Sequence, residues 1–251
     1  MLIHPTREKL QALKLTGMLK ALDEQNSHPE MQALSFEERL GLLVDREILD
    51  RDNRRLKTRL RAARLRQTAT LEDVDYRHPR GLDRGWLAAL GTCRWVREHL
   101  NILLCGPTGV GKTWLACALA HQACREGYRT LYHRLPRLLQ NLTLARADGR
   151  YGKLLRELAK TDVLVLDDWG LAKLTDEHRR DLLEILDDRH GRGSTLITSQ
   201  FPVDRWHELI GDPTLADAIL DRLVHSAYRL NLTGDSMRKK RALLTSTDDT
   251  Q

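Results

Sequence analysis

Residues 106–113 read GPTGVGKT, between an apolar run from Leu100 to Cys105 and a helix-forming run from Trp114 to Ala120. This is G-x-x-x-x-G-K-[ST] in the setting that pattern requires, a short strand before the loop and a helix after it. Gly106, Gly109 and Gly111 allow backbone conformations that a Cβ would obstruct. Successive N–H groups can then turn inward as an anion nest at a helix N-terminus. Pro107, Thr108, Val110 and Trp114 complete the expected nucleotide cradle. Lys112 is placed to reach the β- and γ-phosphates of a nucleoside triphosphate, and the Thr113 hydroxyl to bind Mg²⁺. A glycine-rich turn with no ligand is the alternative, and agreement at eight positions and both flanks argues against it.

A chain of 251 residues with 41% hydrophobic content supports one sizeable domain, or one with a smaller appendage. Aromatics are only 5%, so the core is expected to be Leu, Val, Ile and Ala. No apolar run approaches the ~20 residues that span a bilayer. Residues 1–20 carry charges where a signal peptide is apolar, so a cytoplasmic, non-membrane location is expected. Cys93, Cys105, Cys117 and Cys124 form no C-x-x-C pair and read as buried, reduced thiols.

The net charge of +6 is unevenly spread. Residues 1–70 hold 14 Lys/Arg against 10 Asp/Glu, while residues 71–237 hold 23 of each. A neutral catalytic core with basic attachments is the implied arrangement.

Residues 7–25 read as a helix, which Asn26 to Pro29 breaks. Ser35 and Glu38 form a capping box, opening a long helix with Leu42, Leu49, Leu56, Leu60 and Ala63 on one stripe. Arg51, Arg54, Arg55, Arg59, Arg61 and Arg66 project mostly from the other side. With Lys57 and Arg64, residues 51–66 carry eight positive charges against Asp52 alone. This face reads equally as a solvated surface and as a contact for nucleic acid or a partner, with Arg54, Arg55 and Arg59 as candidate contacts. Residues 67–84 look like a linker, which sets the expected domains at 1–75 (helical), 76–240 (nucleotide-binding) and 241–251 (disordered tail).

Arg129 to His133 reads as a second strand. Residues 135–160 have apolar spacing for two helices and carry Arg137, Arg146, Arg150 and Lys153, with Arg134 just ahead of them. Residues 163–168, VLVLDD, are a buried parallel strand ending in two acids, as a metal-phosphate site at a strand's C-terminal end requires. Asp167 is the expected Mg²⁺ ligand, and Asp168 the group that orients or activates water. The next strand, STLITSQ, brings Ser199 or Gln200 beside them as a γ-phosphate sensor. A helix over 215–224 carries Arg222 near its end, and a strand at 227–232 precedes a basic segment.

In sequence the motifs GPTGVGKT, VLVLDD, STLITSQ, ADAILDRL and GDSMRK resemble the AAA+ ATPases of the initiator and helicase-loader branch. DDWG, TSQFP, ADAILDRLVH and GDSMRK are most similar to the IstB-like ATP-binding proteins of bacterial insertion sequences. The resemblance covers essentially the whole chain. It implies an α/β fold, an AAA+ phosphate-loop parallel sheet core flanked by helices, with a small all-α N-terminal domain and a reduced or absent C-terminal lid. It further implies an ATP- and Mg²⁺-dependent ATPase that assembles as a homo-oligomer on duplex DNA and assists a DDE transposase. Arg222 matches an arginine finger acting on a neighbour's ATP, Arg238 matches the sensor-2 position, and the 135–160 insertion matches a DNA-contacting element. Many AAA+ proteins carry Glu where this chain has Asp168, which leaves slow or partner-dependent hydrolysis open.

A replicative helicase loader would present the same core. A small-molecule kinase would share the loop but needs a lid and an acceptor pocket, for which little chain remains after residue 232. A nucleotide-gated structural protein, binding ATP without turnover, is the third alternative.

Overall fold

The computed structural model describes residues 5–237, so Arg238 and the basic segment and tail beyond it lie outside the described residues. The chain divides into two compact units between Thr58 and Arg59.

The first unit is helical. α1 (Pro5–Ala12) and α2 (Thr16–Ser27) replace the single helix expected over 7–25. Lys14 takes a left-handed φ of 58°, and Leu15 N donates to Leu10 O, so the chain turns in a motif that glycine usually occupies. The long helix α3 (Phe36–Ala63) opens with the expected capping box, Ser35 N donating to Glu38 and Glu38 N to the Ser35 hydroxyl. Glu47 of α3 is buried and accepts from Gly17 N at 2.7 Å and Met18 N at 3.2 Å. Its charge thereby serves the open donors at the start of α2. A Cβ on Gly17 would lie 2.6 Å from the Glu47 Cα, so only glycine admits this helix crossing.

In the second unit, α4 (Arg84–Gly91) and α5 (Arg94–Arg97) lead into β1 (Asn101–Cys105) and α6 (Lys112–Arg125). There follow β2 (Thr130–Arg134), α7 (Leu135–Ala147), α8 (Tyr151–Ala159) and β3 (Val163–Trp169). α9 (Asp176–Arg189), β4 (Ser194–Ser199), α10 (Trp206–Ile210), α11 (Pro213–Val224) and β5 (Ala227–Asn231) complete it. The five strands run parallel in the order β2-β3-β4-β1-β5. The two helices expected over 135–160 are both present.

Strand alternation divides the core in two. Ile102, Leu104, Val163, Val165 and Leu196 face α4 and α6, while Leu103, Leu164, Leu166 and Ile197 face α7, α8, α9 and α11. Both faces are covered, which is why these strands are apolar throughout. The stretch expected as a linker is packed in: Ala69 and Val74 are buried in the first of these clusters, with Leu65 and Leu71 against it. Arg80, also buried, donates to Val110 O at 3.2 Å and Asp75 O at 2.6 Å.

Candidate active site

β1, β3 and β4 end together, and in a parallel α/β sheet the crevice outside those carboxyl ends is where ligands bind. The loop from Gly106 to Gly111 crosses this edge. Gly106 has a φ of 145°, and a Cβ there would overlap the Leu232 carbonyl oxygen. The glycine lets the loop pass directly beneath the chain leaving β5, and Leu232 N donates to Cys105 O at 2.7 Å. Met237 N donates to Gly109 O at 3.0 Å, so residues 232–237 run alongside the loop.

A cavity of ≈ 340 Å³ opens on this edge. It is lined by Thr108, Gly109, Gly111, Lys112, Thr113 and Trp114 from the loop and α6, and by Asp168 and Gln200 from the ends of β3 and β4. Gln67, Asp73, Asp75 and Arg80 line it from the segment ahead of α4, which the sequence reading did not assign to the site. The Lys112 ammonium spans the loop, donating to Gly106 O at 2.6 Å and Pro107 O at 2.7 Å. Val110 is wholly buried and anchors the loop in the core.

The two acids at the end of β3 have different surroundings. Asp167 is fully buried. Its Oδ1 accepts from Thr113 at 2.8 Å and Thr198 at 2.5 Å, and its Oδ2 from Tyr132 at 2.5 Å. The register of β3 against β4 shifts between Leu166 and Trp169, and Asp168 takes a φ of 67°. Bulges of this kind re-aim side chains beside active sites. Here the irregularity sends one carboxylate under the loop and the next to the cavity wall. Asp168 N donates to the Thr198 hydroxyl at 3.2 Å, which ties both acids to β4. Arg134, the last residue of β2, holds Asp168 at 2.7 Å.

Arg66, expected on the arginine face of the long helix, lies beyond the end of α3 and turns inward. Its Nη1 is 3.5 Å from Asp167 and 4.0 Å from Asp168. A hydrogen bond with the Tyr132 hydroxyl pushes its pKa up, and burial pushes the Tyr132 phenol up. Both stay protonated as donors to Asp167. Sequence order gave no signal for either, since Arg66 and Tyr132 lie 101 and 35 positions from Asp167.

The expected sensor residues separate. Ser199 is buried and donates to Trp169 O at 3.0 Å, so the polar end of β4 reaches the cavity through Gln200. Arg222 is elsewhere. Its carbonyl accepts from Asn101 Nδ2 at 2.9 Å, at the first residue of β1. That point is about 13 Å of strand from the loop, at ~3.3 Å per residue. Its guanidinium donates to Asp187 at 2.7 Å and Ala218 O at 2.9 Å, and it lines a second cavity of ≈ 290 Å³ with Arg189 and His190.

Several of the basic residues expected to face DNA are engaged within the chain. Arg54 and Arg55 pair with Glu47 and Asp52 in the first unit. Arg59 donates to Cys124 O at 2.8 Å. Arg146 stacks on Tyr151 with 3.7 Å to the ring centroid and pairs with buried Asp181, while Arg150 pairs with Asp148. Arg137 and Lys153 are exposed and, among the described residues, carry no ion pair.

A loop with positive-φ glycines at 106, 109 and 111, a lysine, a threonine hydroxyl and a carboxylate at one strand edge are what a nucleoside triphosphate and its divalent cation need. Among the described residues no group of three or more His, Cys, Asp or Glu is placed to hold a metal alone. The cation would be held by Thr113, Asp167 and the nucleotide's own phosphates, the usual arrangement for Mg²⁺.

The model of the IstB-like ATP binding protein family matches residues 8–245. The chain belongs to that family. A putative insertion sequence ATP-binding protein of Sinorhizobium fredii is 56% identical over 95% of this chain and 98% of its own. The IS1162 putative ATP-binding protein of Pseudomonas fluorescens is 53% identical, covering 80% and 88%. Among solved structures, DnaI is similar with a TM-score of 0.57 and 25% identity, over 70% of this chain and 94% of that one. The IstB-like chain is thus an ATPase with the AAA+ phosphate-loop fold, and the parallel sheet flanked by helices expected from sequence is the one present. No helix among the described residues is long and apolar enough to cross a membrane.

Proposed function

We propose that this IstB-like ATPase is a helper of transposition: it binds ATP with Mg²⁺, oligomerises on duplex DNA in the cytoplasm, and directs or stimulates a DDE transposase at the target. The observation that carries the reading is the separation of Arg222 from its own phosphate site by the height of β1. An arginine at the far edge of the sheet completes an ATP site only when a second subunit brings it there. The insertion-sequence names of the relatives support the transposition context.

In this account Lys112 holds the β- and γ-phosphates, Thr113 and Asp167 the cation, Asp168 and Gln200 the attacking water, and the partner subunit's Arg222 the charge that develops on phosphoryl transfer. When bound, Mg²⁺ supplies the charge that offsets the triphosphate. Arg137 and Lys153, exposed on α7 and α8, supply DNA contacts, which are made to phosphates and depend steeply on salt.

Sizing the protein with and without duplex DNA, in ATP and in ADP, tests the proposal. Large assemblies only with ATP and DNA are expected. A monomer under all four conditions would refute it, and capture of a replicative helicase instead of the transposase would point to the loader function.

A further inference from the structure

The loop, Thr113 and Asp167 are announced by sequence motifs, but half of what holds Asp167 is not. Its Oδ1 edge faces Thr113 and Thr198. Its Oδ2 edge rests on two side chains from elsewhere: the Tyr132 hydroxyl from β2 at 2.5 Å, and the Arg66 guanidinium from the segment after α3 at 3.5 Å. Tyr132 is only 8% exposed and Asp167 is not exposed at all, so no solvent competes for this edge.

We propose that Tyr132 and Arg66 are positioning residues for the divalent cation: they brace the Oδ2 edge of Asp167, so that its Oδ1 edge stays turned to Thr113. The inference rests on the ATP–Mg²⁺ reading of this site. A carboxylate that reaches a metal is itself hydrogen-bonded, and its outer partners set its orientation and basicity. The terminal torsion of an aspartate is broad, so donors on the Oδ2 edge narrow the orientation of Asp167 beyond what the two Oδ1 bonds set. The Tyr132 hydroxyl supplies the directional bond. Arg66 adds what a neutral phenol does not, a positive charge within 4.0 Å of Asp168 as well as near Asp167. That charge offsets the repulsion between the two neighbouring carboxylates.

The test is a titration of Mg²⁺ into the full-length protein with a fluorescent, non-hydrolysable ATP analogue, repeated in EDTA. Tyr132→Phe and Arg66→Gln are expected to raise the Mg²⁺ concentration at half-saturation about 10- to 100-fold, while analogue affinity in EDTA stays at the wild-type value. Arg66→Lys, which keeps the charge, is expected to recover part of the loss. A wild type that responds to Mg²⁺ and variants that match it would overturn the inference alone. Equal weakening with Mg²⁺ and with EDTA would also overturn it, because that is the signature of a distorted loop. A wild type whose analogue binding ignores Mg²⁺ would overturn the cofactor reading, and this inference with it.

Discussion

Arg134 and Asp168 form an ion pair across the ends of two neighbouring strands, with Nε and Nη2 of the arginine each 2.7 Å from Oδ2 of the acid. Arg134 is also one of the basic residues expected to meet DNA, and in the proposed account a DNA phosphate would compete with Asp168 for this side chain. The Asp168 side chain is 18% exposed and the Arg134 side chain 47%, so solvent screens the pair from the arginine side.

Arg134→Ala is therefore expected to raise ATP turnover in the absence of DNA several-fold and to blunt the further stimulation by DNA. Steady-state hydrolysis with and without duplex reads both effects. Unchanged basal turnover would mean that the ion pair does not restrain Asp168.

Asp168→Asn keeps the shape of the side chain and removes its charge. Turnover should fall by roughly 10²-fold or more, the scale of a lost general base, while ATP binding persists. Single-turnover hydrolysis together with nucleotide titration separates the two. Undiminished turnover would remove Asp168 from the chemistry.

The basic residues of α7 and α8 should divide by their partners. Arg137→Ala and Lys153→Ala are expected to weaken duplex binding at every sequence and to lower the salt slope by about one each. Arg146→Ala should instead lower thermal stability, on the order of 2 kcal/mol, because buried Asp181 loses its charged donor. DNA titrations at several salt concentrations and thermal melts distinguish these outcomes.

Much of the fold is legible in the sequence because its signals are local. Apolar runs of strand length ending at GPTGVGKT, at Asp167-Asp168 and at Ser199-Gln200 gave strands whose carboxyl ends converge. Where no local signal exists the reading differed. Lys14 ends α1 without a glycine or proline. Ala69 and Val74 sit in a stretch too short and mixed to show periodicity, yet they pack against the core. The brace of Asp167 needs the sheet register, which sets Arg134 opposite Asp167 and places Tyr132 two residues earlier on the same strand. Ser199 and Gln200 were equivalent by spacing, and strand alternation sends one into the core and the other to the cavity.

The buried thiols set a pH limit. Burial pushes Cys93 and Cys105 up to about 11 from an ordinary value of 9.0. Between these values the unfolded chain releases protons that the native chain keeps, so stability is full below pH ~9 and falls as pH rises toward 11. The loss is up to about 3 kcal/mol per thiol. Urea melts from pH 8 to 11 should show the decline, and native protein should react slowly with thiol reagents at pH 8. Rapid labelling would show that the thiols are accessible.

The shared ATP site is tested most directly by mixing two inactive variants, Lys112→Ala, which loses its own phosphate grip, and Arg222→Ala, which loses the arginine offered to a neighbour. Each alone should be nearly inert, since such arginines contribute on the order of 10³- to 10⁵-fold in related phosphoryl transfers. Mixed on duplex DNA, the intact loop of one variant meets the intact arginine of the other, and ATP turnover should rise far above the sum of the two alone. Turnover equal to that sum, or an Arg222→Ala variant that hydrolyses ATP normally as a monomer, would contradict the account.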